Sequence, residues 1–532
     1  MLAKNMEETY DYIVVGAGSA GCVVATRLVL AAKRVLLLEC GPKDNDPFIQ
    51  VPGGFVKAIK PKRTFMFKTE PQPGTGNRSL TIPQGRTLGG GSSVNAMIYI
   101  RGQAQDYDDW ADLGCKGWDY ESVLPAFKKC EQNQKYADRY HGTDGPLAVS
   151  DSGYRHPLSY AFLRAAQEAG YRYNEDFNGV AQEGFGFYQT TTLNGRRGST
   201  AGRYLKQVRS NPLLTIRTGA EASAIFLENG AASGVHYRVG GRAATLARAN
   251  EEVILCAGAL NTPKLLMLSG IGPGKHLQDF GIPVIRELPG VGKNFQDHVA
   301  ASVHGVTDRK ISLYRQDKGL AALKNALIYL LTGGGVLSSN IVESGGFLDT
   351  NGSGRPDIQF HVTPALVGDA NRTPMPYHGI SINPCVLRPT SRGEVTLASR
   401  TMSDQLVIRA NTLGTDDDVD TLLRGIEVGR RILSSPAFQK LGFSEFSPGS
   451  SATSRDQVVE YIRRAAKTVY HPVGTCKMGA DEMAVVDTQL RVRGVSRLRV
   501  ADGSVMPTLV SGNTNAPCIM IGEKCSEFLL GN

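Results

Sequence analysis

Several features are scarce or missing along these 532 residues. The nine cysteines are scattered, with no C-x-x-C pair and no metal-like spacing. That excludes a disulfide framework and reads as reduced thiols in a reducing compartment. No His/Cys/carboxylate cluster has metal-ligand spacing, so no metal is expected. No G-x-S-x-G elbow is present. Every apolar stretch meets a glycine or a charge before it could span a bilayer. The opening Met1 to Thr9 is polar, without the apolar core of a secretory leader. Long runs of like charge are absent too; Lys60 to Arg63 is only a short cluster. A nucleic-acid partner is therefore not expected. The net charge of +9 reads as a mildly basic surface, with attraction to an anionic membrane left open. Together these absences imply a cytoplasmic protein, with peripheral contact to an inner membrane as an open alternative. There are no internal repeats and no low-complexity tract.

What is abundant is glycine, at 61 residues, and its placement is ordered from the start. Asp11 to Val15 is a β-branched apolar run, read as a buried strand. Gly16, Gly18 and Gly21 follow at G-x-G-x-x-G spacing. Gly16 permits a tight turn, Gly18 close approach to a pyrophosphate, and Gly21 close packing of the next helix, Gly21 to Ala31. That helix, entered through Ser19 and Ala20, points its N–H groups at the phosphates. A second apolar strand, Arg34 to Leu38, ends in Glu39, placed to accept ribose hydroxyls. A dinucleotide-binding unit of α/β class is the result.

At this length two structural units are expected. Asp106 to Cys130 reads as helical, anchored in the core by Trp110 and Trp118. Leu158 to Ala169, Ser199 to Val208 (with Ser199 as N-cap), Thr415 to Leu433, Ser454 to Ala466 and Ala516 to Leu530 also read as helices. Leu213 to Ile225, Ala232 to Arg238 and Asn250 to Cys256 read as strands, so the nucleotide unit resumes after an insertion. Ile358 to Leu397 is strand-like again. Leu320 to Leu331 reads as an amphipathic helix. Core packing is its plain explanation; membrane docking and a lid over a site are the others.

The motifs taken together resemble the glucose-methanol-choline (GMC) family of FAD-dependent oxidoreductases. The resemblance spans Asp11 to Leu529. It rests on the N-terminal fingerprint with Leu38 to Pro42, on Gly85 to Asn95 with Arg101-Gly102, and on Gly258 to Pro263 with Ser269 to Gly272. Pro289 to His298, Tyr470 to Met478, Val500 to Gly503 and Gly512 to Pro517 complete it. His141 to Leu147, Asp176 to Gly179, Val336 to Asn340 and Glu343 to Gly346 resemble the branch of bacterial choline-dehydrogenase-like alcohol and L-sorbose dehydrogenases. The resemblance implies a Rossmann-like FAD-binding domain assembled from residues 1–150, 196–300 and 469–532. A substrate domain, an antiparallel sheet flanked by helices, would take 151–195 and 301–468.

The implied activity is oxidation of a CH–OH group, most simply a primary alcohol to an aldehyde, with hydride transfer to flavin N5. Electrons would pass to a quinone or another acceptor; an oxidase that uses O₂ and releases H₂O₂ is the rival reading. The resemblance implies His471 as the catalytic base and Asn515 as the residue that orients the substrate oxygen. Imidazole suits the proton transfer because its ordinary pKa lies near neutrality. Beyond the fingerprint residues, the resemblance places Arg86, Gly91, Ser92 and Asn95 near the pyrophosphate and flavin. It places Ala222 by adenine, and Asp502, Asn513 and Thr514 beside the ribityl chain and ring. Some relatives bond flavin covalently through a histidine where this chain has Val94, so dissociable FAD is expected. His298 reads as structural, and His361 as a residue that either faces the pocket or packs. Phe65, Phe67, Tyr99, Leu337 and Asn340 read as either pocket wall or core.

Overall fold

The computed structural model describes residues 8–368 and 375–531. The first seven residues of the polar opening lie outside that range. Two sheets organise the described chain. In the first, the strands Leu214–Thr218, Val35–Glu39, Glu8–Val15 and Thr245–Leu255 lie side by side and parallel. Leu498–Val500 adds a further parallel partner at the far end of Thr245–Leu255. The near end of that same strand pairs with an antiparallel hairpin, Ala220–Glu228 and Ala231–Val239. The central strands are buried on both faces, which explains their unbroken apolar runs. Gly16, Cys40, Cys256 and Ala501 each follow a parallel strand. One edge of the sheet therefore gathers the loops where such folds bind nucleotides.

The second sheet is antiparallel and eight-stranded. Its main path runs Ser444–Ser447, Val303–Val306, Gly379–Val386, Ile358–Thr363, Ser344–Leu348, Gly184–Phe187. The helices Pro157–Glu168, Asp416–Leu433 and Arg455–Ala465 share a hydrophobic core with it. In register, His361 sits between Gly345 and Asn383.

The chain termini converge. Helix Ser19–Leu30 packs along helix Asn515–Leu530. The approach is close: a Cβ on Gly522 would lie 3.0 Å from the Ala20 carbonyl. Arg27 forks onto the buried Glu523 carboxylate through Nε at 2.9 Å and Nη2 at 2.8 Å. Tyr204 Oη donates to the same carboxylate at 2.8 Å, so the buried charge has the partners it requires.

Most expected elements form within a few residues. The stretch Asp106 to Cys130 is two helices, Ala104–Asp112 and Tyr120–Cys130, with both tryptophans fully buried. Ser199 accepts from Gly202 N at 3.1 Å, but the turn it opens is a π-type turn over Ala201–Leu205. One expectation fails outright. Helix Gly319–Thr332 does not bury its leucines; Asn325 is its buried residue. The periodic leucine stripe faces away from the protein, so the core-packing explanation is wrong. Among the described residues, no helix is long and apolar enough to cross a membrane, and no group of His, Cys, Asp and Glu is placed to hold a metal. The nine cysteines are free thiols.

Candidate active site

Between the two sheets lies a cavity of about 1150 Å³, beyond the ~300–1,000 Å³ of ordinary small-ligand sites. One end is built of backbone. Gly16, Gly18, Ser19 and Ala20 line it, and the helix Ser19–Leu30 starts there. Gly16 has φ +101°, and a Cβ there would strike the Cys256 carbonyl at 2.4 Å. Gly21 does not reach the cavity. It is held against Gly16, whose carbonyl would lie 1.9 Å from any Cβ. Glu39 ends its strand in the cavity wall, accepting from Ala17 N at 3.1 Å and Gly41 N at 2.8 Å. Burial pushes its carboxyl up to about 7 despite those donors.

Ala222 lines the same region. Arg86 lies over the Phe65 ring at 5.2 Å, with its Nε buried and without a hydrogen-bond partner. Gly91 borders open space, with no atom within 4 Å of a Cβ; Gly258 does too. Asn95 lines the cavity and accepts from Arg197 Nη1 at 2.8 Å and Met97 N at 3.0 Å. Ser92 does not line it. Its hydroxyl is spent inside, donating to Gly89 O at 2.6 Å and accepting from Thr200 N at 3.0 Å. Asp502 faces the cavity while capping helix Gly258–Leu268, accepting from Gly258 N at 2.8 Å and Thr262 Oγ1 at 2.6 Å. Burial raises its carboxyl above the usual range. Thr514 borders the cavity close by.

The other end carries imidazoles. Asp297 Oδ1 accepts from His471 N at 2.8 Å, and Tyr470, just before it, has φ +72°. A non-glycine residue in that region is strained backbone, which here aims the next side chain. His471 Nδ1 lies 2.9 Å from His298 Nδ1, and His298 Nε2 lies 2.9 Å from the Leu387 carbonyl. These contacts assign the protons. A carbonyl only accepts, so His298 carries its hydrogen on Nε2 and leaves Nδ1 bare. His471 must then donate from Nδ1, which leaves its Nε2 unprotonated and an acceptor. Burial first, then the neighbouring His298 and His361, holds His471 well below the ordinary histidine range. Burial likewise takes His298 down to about 3. Both rings are neutral at neutral pH.

The carboxamide that meets His471 is Asn513, not Asn515. Asn513 Nδ2 stands 3.4 Å from His471 Nε2, and its Oδ1 accepts from Gln359 Nε2 at 3.1 Å. Asn515 begins the C-terminal helix and turns to the nucleotide end, accepting from Ser19 Oγ at 2.7 Å. Two residues of separation, one outside the helix and one in its first turn, send the side chains to opposite ends of the cavity. His361, Phe65, Phe67 and Leu337 border the cavity. Tyr99 and Asn340 do not: Tyr99 is core, and Asn340 Nδ2 braces the Ala96 carbonyl at 2.8 Å. Sequence reasoning missed the part played by His298 and Asp297. Their signal was a matched motif, Pro289 to His298, with nothing local to say that it lies against His471.

A glycine-walled nucleotide end and an imidazole–carboxamide end in one cavity define a flavin oxidoreductase of the kind the motifs resemble. Family models described as GMC oxidoreductase match residues 10–300 and 389–522, and the chain belongs to that family. It is similar to an alcohol dehydrogenase [acceptor] of Pseudomonas putida, 43% identical across 98% of this chain and 96% of the relative. It is also similar to a mitochondrial choline dehydrogenase of Mus musculus, 42% identical across 100% and 91%. Among solved structures, pyridoxine 4-oxidase from Mesorbium loti superposes with a TM-score of 0.88 at 30% identity, covering 97% of this chain and 98% of that one. An FAD-dependent oxidoreductase from Chaetomium thermophilum gives 0.90 at 26% identity, covering 98% and 99%. The protein is an FAD-dependent oxidoreductase of CH–OH donors. The orphaned Arg86 Nε and the open space before Gly91 and Gly258 fit that cofactor.

Proposed function

We propose that the chain is an alcohol dehydrogenase that converts an uncharged primary alcohol to its aldehyde and passes the electrons to a quinone or another acceptor at a membrane surface. One observation carries this reading: a bare imidazole nitrogen, His471 Nε2, and a carboxamide N–H, Asn513 Nδ2, converge on the cavity that the glycine turn also lines.

In this reading Gly16, Gly18, Ser19, Ala20 and Asn515 hold the pyrophosphate side, and Gly21 keeps their helix close. Glu39 takes the ribose hydroxyls, and Ala222 lies by adenine. Arg86, Gly91, Asn95, Asp502 and Thr514 follow the flavin, with Ser92 bracing the Gly89 turn. FAD held by these residues would supply the acceptor for the hydride that leaves the carbinol carbon. His471 Nε2 takes the hydroxyl proton, and Asn513 donates to the same oxygen as negative charge grows there. His298 keeps His471 in the tautomer this needs, and Asp297 fixes the backbone.

Val94 borders the cavity with a hydrocarbon side chain, which offers no atom for a covalent flavin bond and favours dissociable FAD. Acid precipitation would leave the yellow colour in the supernatant; a yellow pellet would contradict this. The cavity wall includes Ile341, Val342, Leu366 and Val469 and also Lys467, whose Nζ donates to Ser302 Oγ at 2.9 Å and to Oδ1 of Asn383, the strand neighbour of His361, at 3.0 Å. A fixed ammonium there repels a cationic substrate, so an alkanol is favoured over choline. Anaerobic mixing tests the reading. Bleaching of the flavin by a medium-chain alkanol and not by choline is expected. Bleaching by choline alone, or by no alcohol, would overturn it. Stoichiometric peroxide formation in air would move the assignment to an oxidase.

A further inference from the structure

Helix Gly319–Thr332 has two unlike faces. Its inner residues Ala322, Asn325 and Ala326 line the cavity, and Tyr329 Oη donates to the Gly195 carbonyl at 2.9 Å, tying that face down. The opposite face presents Leu320, Leu323, Leu327, Leu330 and Leu331, which are 85%, 57%, 50%, 77% and 83% exposed. Leu320, Leu323, Leu327 and Leu331 wall a continuous shallow apolar trough. A stripe of this kind is unusual on a soluble monomer, where scattered single leucines are the norm.

Cations border it. Lys318 caps the helix, Lys324 rides on it, and Arg315 is exposed just before it. Lys57 reaches Asp317 at 3.8 Å, and Lys57 and Lys60 both overlie the Phe48 ring. Between residues 48–63 and 315–332 Asp317 is the sole carboxylate. Phe48 and Val56 are themselves exposed apolar residues, and both border the cavity as the leucine helix does. Apolar stripe, basic margin and cavity mouth thus share one side of the molecule.

We propose that this side docks on an anionic phospholipid bilayer. The leucines insert at the acyl boundary and Arg315, Lys318, Lys324, Lys57 and Lys60 meet the phosphates. The helix is too short to span (14 residues) but suited to lie in the interfacial plane. Docked this way, the mouth beside Phe48 and Val56 opens toward lipid, where an alkanol or a quinone is concentrated. This rests on the function proposed above for what enters the cavity; the docking itself does not.

The test is flotation of the FAD-loaded, full-length protein with vesicles of phosphatidylglycerol mixed into phosphatidylcholine, compared with phosphatidylcholine alone. Preferential binding to the anionic vesicles is expected, weakened by raised salt. The triple variant Leu323→Ser, Leu327→Ser, Leu330→Ser should lose binding at least tenfold and keep wild-type turnover of a short, water-soluble alcohol with a soluble dye. Vesicle binding is read without turnover, so failure of the alcohol assignment would leave it standing. Equal flotation with both vesicle types, or binding unchanged in the triple variant, would overturn the proposal. So would a dimer in light scattering that the same substitutions dissolve, since a second copy would then cover the leucines.

Discussion

Replacing His298 with alanine separates orientation of the base from the base itself. His298 does not touch the open end of the cavity; it lies behind His471, 2.9 Å away through Nδ1, and is itself buried and tied to the Leu387 carbonyl. In His298→Ala the His471 Nδ1–H loses its acceptor. A buried donor left unsatisfied costs ~1–3 kcal/mol, and that energy no longer holds the proton on Nδ1. The imidazole can then turn or change tautomer, presenting an N–H where a lone pair is needed. At ~1.4 kcal/mol per decade, kcat falls ~5- to 150-fold. KM, set by the wall beyond His471, moves less than about threefold because binding is not lost. FAD content, read from flavin absorbance, stays at the wild-type value. His298→Gln, whose carbonyl can accept from Nδ1, should recover part of the loss. Steady-state dye reduction measures both constants. A His298→Ala protein with full flavin and kcat within about twofold of wild type would refute the tautomer assignment.

Three other consequences are measurable. Since burial holds His471 below the usual histidine range, the base is already deprotonated near pH 6.5, and kcat/KM should stay flat down through pH 6.5 and fall only in more acid buffer; an acid limb centred at pH 7 or above would contradict this. Gly91→Leu meets no atom of the protein at its Cβ, so thermal unfolding of the apo-protein should stay within a few degrees of wild type while FAD retention collapses; a variant that keeps its flavin would show that the cofactor lies elsewhere. Against the opposing pull of burial, Asp176 and Glu131 raise His141 to about 9, above an unfolded value of ~6.5. That stabilisation is complete below pH 6.5 and lost as pH rises through 9. The melting-temperature advantage of wild type over His141→Gln should therefore shrink from pH 6 to 9, and a constant difference would argue against a charged His141.

The parts readable from sequence are those whose residues lie close together in the chain. Strand, glycine turn, helix, strand and Glu39 fall within residues 11–39, and each step has a local cause: β-branched residues, the left-handed Gly16, an apolar strand ending in an acid. The imidazole end is different. His298 and His471 are 173 positions apart, and no periodicity links them; only the sheets bring them together. The exchange of Asn513 for Asn515 has a similar origin. Both carry the same chemistry in one motif, and what separates them is where helix Asn515–Leu530 begins, which caps and propensity locate only to a residue or two. The family resemblance places Ser92 by the cofactor, yet its hydroxyl closes the Gly89 turn. The leucines of Gly319–Thr332 show the reverse limit. Their 3.6-residue spacing fixed the helix but was silent on which face meets protein, and tertiary packing put alanines inward.

His471 Nε2 is proposed to remove the alcohol proton in a cavity shared with FAD. Rapid anaerobic mixing of His471→Ala with an alcohol that bleaches the wild type puts this to the test. The variant should be isolated yellow, with wild-type FAD content, and its bleaching should slow by ~10²–10⁴-fold, the range for a general base. Bleaching at the wild-type rate would contradict the claim, because the proton would then leave by a route that does not need this imidazole.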